Sequence, residues 1–317
     1  MFADIINNIN EKQLSILVIG DLMLDKFIFG NVNRISPEAP VPIVKLKKEE
    51  QMLGGCGNVI RNLNNLGVAT KLISVVGRDL PGDLLIKKLM EKEIPVDNVL
   101  RLDKIRTTEK MRIVADRQQV VRVDSDMNQL AINSIDKLIA NMPKCIKKIN
   151  GIIISDYAKG VCSELFLKKV IKLSNDKNIP VFIDPKGSDW GKYKNADLIT
   201  PNTGETEVVL GQKLESDEDF EMAGKKICST FNIKACLITR GSDGMSFIRQ
   251  KNIIHLKSEA KEIFDVSGAG DTVIAAMATG LLTGANYKKV LEFSNLAAGI
   301  VVGHVGTSAI TIEELLD

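Results

Sequence analysis

Short apolar runs alternate with stretches of helical periodicity along most of the chain. Val, Ile and Leu dominate residues 16–19, 71–76, 151–155, 181–184, 197–200 and 235–239, each short enough for a buried strand. Between them, apolar positions recur with helical spacing near 55–67, 81–92, 129–141, 162–177, 217–230 and 268–283. Alternation of this kind predicts an α/β fold: a mostly parallel central sheet covered by helices on both faces. Such sheets bind ligands at the carboxyl ends of their strands. Four of the runs end in polar clusters, at Gly20-Asp21, Ser155-Asp156, Asp184-Pro185-Lys186 and Thr239-Arg240-Gly241. Four together predict a lined cleft.

Two segments, 26–46 and 105–124, depart from the alternation and read as β-ribbons. They predict one small sheet inserted in a single domain spanning 1–317, placed to act as a lid. At the N-terminus, Phe2, Ile5, Ile6 and Ile9 predict a docking helix.

Composition narrows the class. The 317 residues are 44% hydrophobic and 26% charged, enough apolar surface for a sizeable core. Forty-two Lys+Arg against 40 Asp+Glu leave +2, too balanced for a nucleic-acid partner bound by bulk charge. No apolar run approaches the ~18 residues of a membrane span. The five cysteines form no C-x-x-C pair and the N-terminus lacks a signal-peptide pattern, so a cytoplasmic protein without disulfides is expected. Two distant histidines, His255 and His304, exclude H-E-x-x-H metal chemistry.

The strongest motif is Asp265-Val-Ser-Gly-Ala-Gly-Asp271, opening an apolar helix. Gly268, Ala269 and Gly270 would offer backbone N–H groups to an anion at a helix N-terminus, with no bulky side chain in the way. Asp271 in the first turn would repel a phosphate, and is better explained as a general base taking a proton from an attacking hydroxyl. Neither G-x-x-x-x-G-K-[ST] nor a dinucleotide fingerprint occurs. Gly54 and Gly55 allow a backbone turn near a ligand, and Asn58 can bond hydroxyls in both directions. Asn202 and Glu205 suit either a hydrated Mg²⁺ or a helix capping box. Thr239, Gly241 and Gly244 suit a phosphate cradle or a hairpin turn.

Together these residues resemble the ribokinase-like, PfkB-type family of sugar kinases, in order from about residue 14 to the C-terminus. The resemblance implies a three-layer α/β/α sandwich with a β-sheet lid, often a homodimer interface. It implies ATP and Mg²⁺ as cofactors, with a monovalent cation in some relatives, and Asp271 as base beside an anion hole at Gly268–Gly270. Within the family, residues 20–25, 34–42, 117–124, 155–160 and 184–187 look like the D-glycero-β-D-manno-heptose-7-phosphate kinases. That implies phosphorylation at the 1-position to a 1,7-bisphosphate for ADP-heptose and the lipopolysaccharide core. Asp21, Asp25 and Asp156, with Gly54, Gly55 and Asn58, are then candidates for the sugar. Arg117, Lys159 and Lys186 are candidates for its phosphate, Arg122 and Asp124 for a structural pair, and Asn295 for the adenine pocket. Cys56-Gly57 replaces the Ala-Ala common in that group. The sequence stops at Asp317 without the nucleotidyltransferase domain fused to many such kinases, so a separate protein is expected for the later step. Kinases of fructose phosphate or ribose, and a non-catalytic sugar or nucleotide sensor, are the alternatives on the same scaffold.

Overall fold

The structure, a computed structural model, describes residues 2–116, 118–127, 129–260, 265–304, 306 and 308–316. The strands run in chain order from β1 (Ser15–Gly20), β2 (Leu22–Ile35) and β3 (Pro42–Gly55) to β4 (Ala69–Gly77) and β5 (Val99–Leu102). Next come β6 (Thr108–Ala115), β7 (Gln118–Ser125), β8 (Gly151–Ser155) and β9 (Val181–Asp184). The last four are β10 (Leu198–Ile199), β11 (Ala235–Thr239), β12 (Met245–Arg249) and β13 (Asn252–Leu256). Nine of them form one sheet in the order β13-β12-β11-β10-β9-β8-β1-β4-β5, parallel except for β12 and β13. The other four make a smaller sheet, β3-β2-β6-β7.

Burial on both faces explains the unbroken apolar runs. In β1, Ile16 and Val18 enter one core while Leu17 and Ile19 enter the other. The first core is closed by the helices Ala3–Lys12, Cys56–Asn65, Ala269–Thr283 and Tyr287–Val301, the second by Glu164–Asn175 and Asp217–Phe231. Phe2, Ile5, Ile6 and Ile9 are buried as the periodicity predicts.

Register aligns the strand ends. Gly20 pairs with Ser155 and Ser155 with Asp184, so β1, β8 and β9 finish in one row. An isolated parallel bridge joins Asn202 to Thr239 and extends that row.

The lid is larger than the apolar pattern suggests. Its ribbon expected at 26–46 runs from Leu22 to Gly55, so its base reaches the turn into the helix Cys56–Asn65. The helix expected from 129 begins at Ile132. The antiparallel edge was hidden because Gln250, not glycine, takes the left-handed φ of 51° in the β12–β13 turn. Among the described residues no helix is long and apolar enough to cross a membrane.

Candidate active site

The helix Ala269–Thr283 starts at Gly268, whose φ of 87° is the left-handed turn that glycine accepts without strain. Ala269 N–H donates to Val266 O at 3.3 Å, which leaves Gly270 and Asp271 as the first-turn amides without an intrahelical acceptor. A Cβ built on Gly270 would meet nothing within 4 Å. The backbone there is open to a ligand.

Asp271 is 3% exposed. Asn58 Nδ2 donates to its Oδ2 at 3.0 Å and Tyr157 OH donates to its Oδ1 at 2.9 Å. Burial pushes the Asp271 carboxyl up to about 6, opposed by these two hydrogen bonds. The group is therefore a carboxylate near neutral pH with raised basicity. Asn58 is held by the helix Cys56–Asn65. One turn on, Asn62 donates to Asn58 O at 2.9 Å and accepts from Thr272 OH at 3.1 Å, locking the two helices together.

The other two carboxylates at the ends of β1 and β8 turn inward. Asp21 accepts backbone N–H bonds from Tyr157 at 2.9 Å and from Lys159 and Val161 at 3.0 Å. It is 1% exposed, and burial raises its pKa. Its bonds fasten the loop that presents Tyr157. Asp156 accepts from Lys192 at 2.5 Å, Tyr193 OH at 2.7 Å and Ala158 N–H at 2.7 Å, and is likewise buried.

Asp25 sits on the lid side. Arg112 Nη1 donates to its Oδ1 at 2.7 Å, and both groups are buried. A Cβ on Gly54 would lie 2.2 Å from Asp25 Oδ2, so this carboxylate fits only over a glycine. Gly55, with φ 58°, is the N-cap of Asn58's helix.

On the opposite flank, Asn202 Oδ1 accepts from Glu205 N–H at 2.8 Å and Glu205 Oε2 accepts from Asn202 N–H at 3.0 Å, a complete capping box. Glu205 Oε1 also pairs with Lys186 at 2.7 Å. A cavity of about 150 Å³ brings Asp184, Lys186, Asn202, Glu205, Thr239 and Gly270 together. A larger cavity, about 370 Å³, adjoins Asn202 and Thr239 and continues past Gly241 and Phe220. Burial, Asp271 and Glu205 push the Asp184 carboxyl well up. Such a crowd of carboxylates fits a hydrated divalent cation, which would relieve the repulsion.

The remaining candidates are more dispersed. Gly241 borders the larger cavity, whereas a Cβ on Gly244 would lie 2.0 Å from Leu256 O, so strand packing demands that glycine. Asn295 donates to Lys257 O at 2.7 Å and ties its helix to the segment after β13. Lys159 pairs with Asp126 at 2.7 Å. Arg122 and Asp124 form the expected pair, at 2.7 and 2.5 Å. Arg117 lies outside the described residues.

The family model for pfkB family carbohydrate kinases matches residues 13–314. The chain belongs to this family. The kinase is 42% identical over 305 residues to the bifunctional protein HldE of Pasteurella multocida, covering 96% of this chain and 63% of that protein. It is 41% identical to the HldE of Histophilus somni with the same coverage. The chain thus spans a little under two thirds of these relatives. Phosphofructokinase-2 from Escherichia coli, in a structure with potassium, shares the fold with TM-score 0.81 at 20% identity, over 96% of this chain and 97% of that one. Arabidopsis thaliana ribokinase, complexed with ribose and ATP, has TM-score 0.74 at 18% identity, with the same coverage. The kinase is a sugar or sugar-phosphate phosphotransferase of ribokinase-like fold.

Four groups at its centre escaped the sequence reading as site residues: Tyr157, Asp184, Lys110 and Arg112. The two cations stand two apart on β6, so they share one face of the lid. That spacing was the available signal, but which face turns inward depends on pairing with β2.

Proposed function

We propose that the kinase transfers the γ-phosphoryl group of MgATP to the 1-hydroxyl of D-glycero-β-D-manno-heptose 7-phosphate, in the cytoplasm, on the route to ADP-heptose and the lipopolysaccharide core. The observation that carries the transfer is Asp271, a buried carboxylate raised to about 6 and held by two donors at the mouth of an open helix N-terminus. The choice of acceptor rests on the heptose-kinase-like stretches and on 42% identity to a bifunctional protein HldE across nearly the whole chain.

In this reading Asp271 takes the proton from the attacking hydroxyl, and the Gly270 and Asp271 amides face the transferring group. Mg²⁺, when bound, neutralises phosphate charge; Asn202 and Glu205, through water, and Asp184 would hold it. Asp25 and Asn58 orient sugar hydroxyls, with Gly54 giving the room. Asp21 and Asp156 act from beneath, shaping the 156–161 loop. Thr239 and Gly241 border the nucleotide.

The lid's other face pairs Val121 with Ile113 and Val123 with Met111, and both valines are about half exposed. A second copy laid across it would make the homodimer.

The test is a panel of sugars and sugar phosphates, including both anomers of heptose 7-phosphate, incubated with MgATP and read by mass. Turnover confined to the β-anomer supports the reading. Preference for a fructose phosphate or ribose refutes the acceptor while keeping Asp271. Tight nucleotide binding with no transfer to any sugar refutes the catalytic reading.

A further inference from the structure

In-line transfer requires the acceptor on the side of Asp271 away from the nucleotide. Gly270 and Asn202 border the nucleotide-side cavity, so the acceptor side is the lid face that carries Asp25. Residues in register on adjacent strands share a face. Asp25 is in register with Lys110 and Lys110 with Asp124, while Phe27, Arg112 and Arg122 form the next row of that face.

Three lid-side cations are matched by carboxylates: Arg112 by Asp25, Arg122 by Asp124 and Lys159 by Asp126. Lys110 differs. Its ammonium stands 4.8 Å from the centroid of the Tyr157 ring, and among the described residues no carboxylate lies within ion-pair distance of it. The residue is half-buried. Burial lowers its pKa, Arg122, Arg112 and Lys159 lower it further, and Asp25 opposes them. A cation kept where it is desolvated and repelled is completed by an anion.

On the sugar-phosphate reading above, we propose that Lys110 receives the phosphate ester carried by the acceptor, and so selects a phosphorylated sugar over a free one. The Tyr157 phenol stands between the two ends of the site. Its ring faces the ammonium and its hydroxyl bonds the base, which suits a phosphate remote from the reacting hydroxyl. Lys186 serves the nucleotide side, where Glu205 holds it.

The transferring phosphoryl group has the same chemistry as that ester, so kinetics must separate them. Lys110→Met and Lys110→Arg would be compared with the parent enzyme, using heptose 7-phosphate, the unphosphorylated heptose and MgATP. The Met variant should raise KM for the sugar phosphate roughly 10–100-fold, the worth of one hydrogen bond to a charged group. Its KM for MgATP should stay put, its preference for the phosphorylated over the free sugar should collapse, and Arg should restore much of the loss. Retained MgATP binding would certify folding, with Lys110→Gln repeating the test if Met fails. A fall in kcat at constant KM would assign Lys110 to the transferring group and overturn the proposal. Unmoved constants would reduce it to packing on Tyr157, also overturning it. A parent enzyme inactive on every sugar phosphate would overturn the acceptor reading instead.

Discussion

The two flanks of the cleft are built by opposite means. On the nucleotide flank, neighbours in sequence do the work: Asn202 and Glu205 cap each other, and the open amides come from consecutive residues at one helix start. On the lid flank, groups far apart in sequence meet. Arg112 reaches Asp25 across 87 residues, and Tyr157 reaches Asp271 across 114. The first flank is set by local backbone geometry, with the left-handed turn at Gly268 opening its helix. The second is set by how two sheets are placed, so its electrostatics depend on the lid staying in register. With MgATP as donor, as proposed above, the acceptor is what distinguishes one such kinase from another, and the long-range flank is where that difference can be accommodated.

The base stands between the flanks, and its loss should be felt most. Asp271→Asn should cut kcat roughly 10²–10⁴-fold, the usual worth of a general base, while nucleotide titration shows binding intact. Near-normal turnover would remove Asp271 from the role.

The lid flank is probed by Arg112→Met, which strands a buried Asp25 carboxylate and should cost about 3–5 kcal/mol by denaturant unfolding. A loss under 1 kcal/mol would mean that the pair is more hydrated than its burial indicates.

Gly270→Val probes the other flank. Its Cβ meets no protein atom, so stability should hardly change, yet nucleotide affinity should fall by tenfold or more because phosphate can no longer approach the backbone. Unchanged affinity would take the anion site away from this helix.

Tyr157→Phe sharpens the comparison most finely. The acid limb of kcat should fall near pH 6 in the parent and move up by roughly one unit in the variant, since the carboxylate loses one donor. Stability has the opposite slope. The folded Asp271 holds its proton more tightly than the unfolded chain, so this group's contribution is full below about pH 4 and is lost as pH rises to about 6. The stability of Asp271→Asn relative to the parent should therefore rise across that window. A flat difference would show that Asp271 titrates at its ordinary value.

The same contrast explains what could be read from the chain alone. The parallel sheet and the 265–271 motif were legible because periodicity and contiguous spacing encode them. Asp21 and Asp25 look alike in sequence, two carboxylates close together beyond the first apolar run, yet one is spent on three backbone N–H groups and the other lies within β2 of the lid, paired with Arg112. Only the pairing of β1 with β8 and of β2 with β6 separates them. Lys110 and Tyr157 were missed as site residues for the same reason: their meaning lies in a contact, not in a spacing.

Gly54 has a consequence for how such an enzyme drifts over evolutionary time. With a carboxylate oxygen 2.2 Å from where any methyl would stand, the base of the lid at Gly54 offers selection almost no viable neighbours in sequence space. Strand β7, exposed along nearly its whole length, offers many. New acceptor preferences in this lineage should therefore arise by rewriting the lid's outer strand, while its base at Gly54 is inherited unchanged.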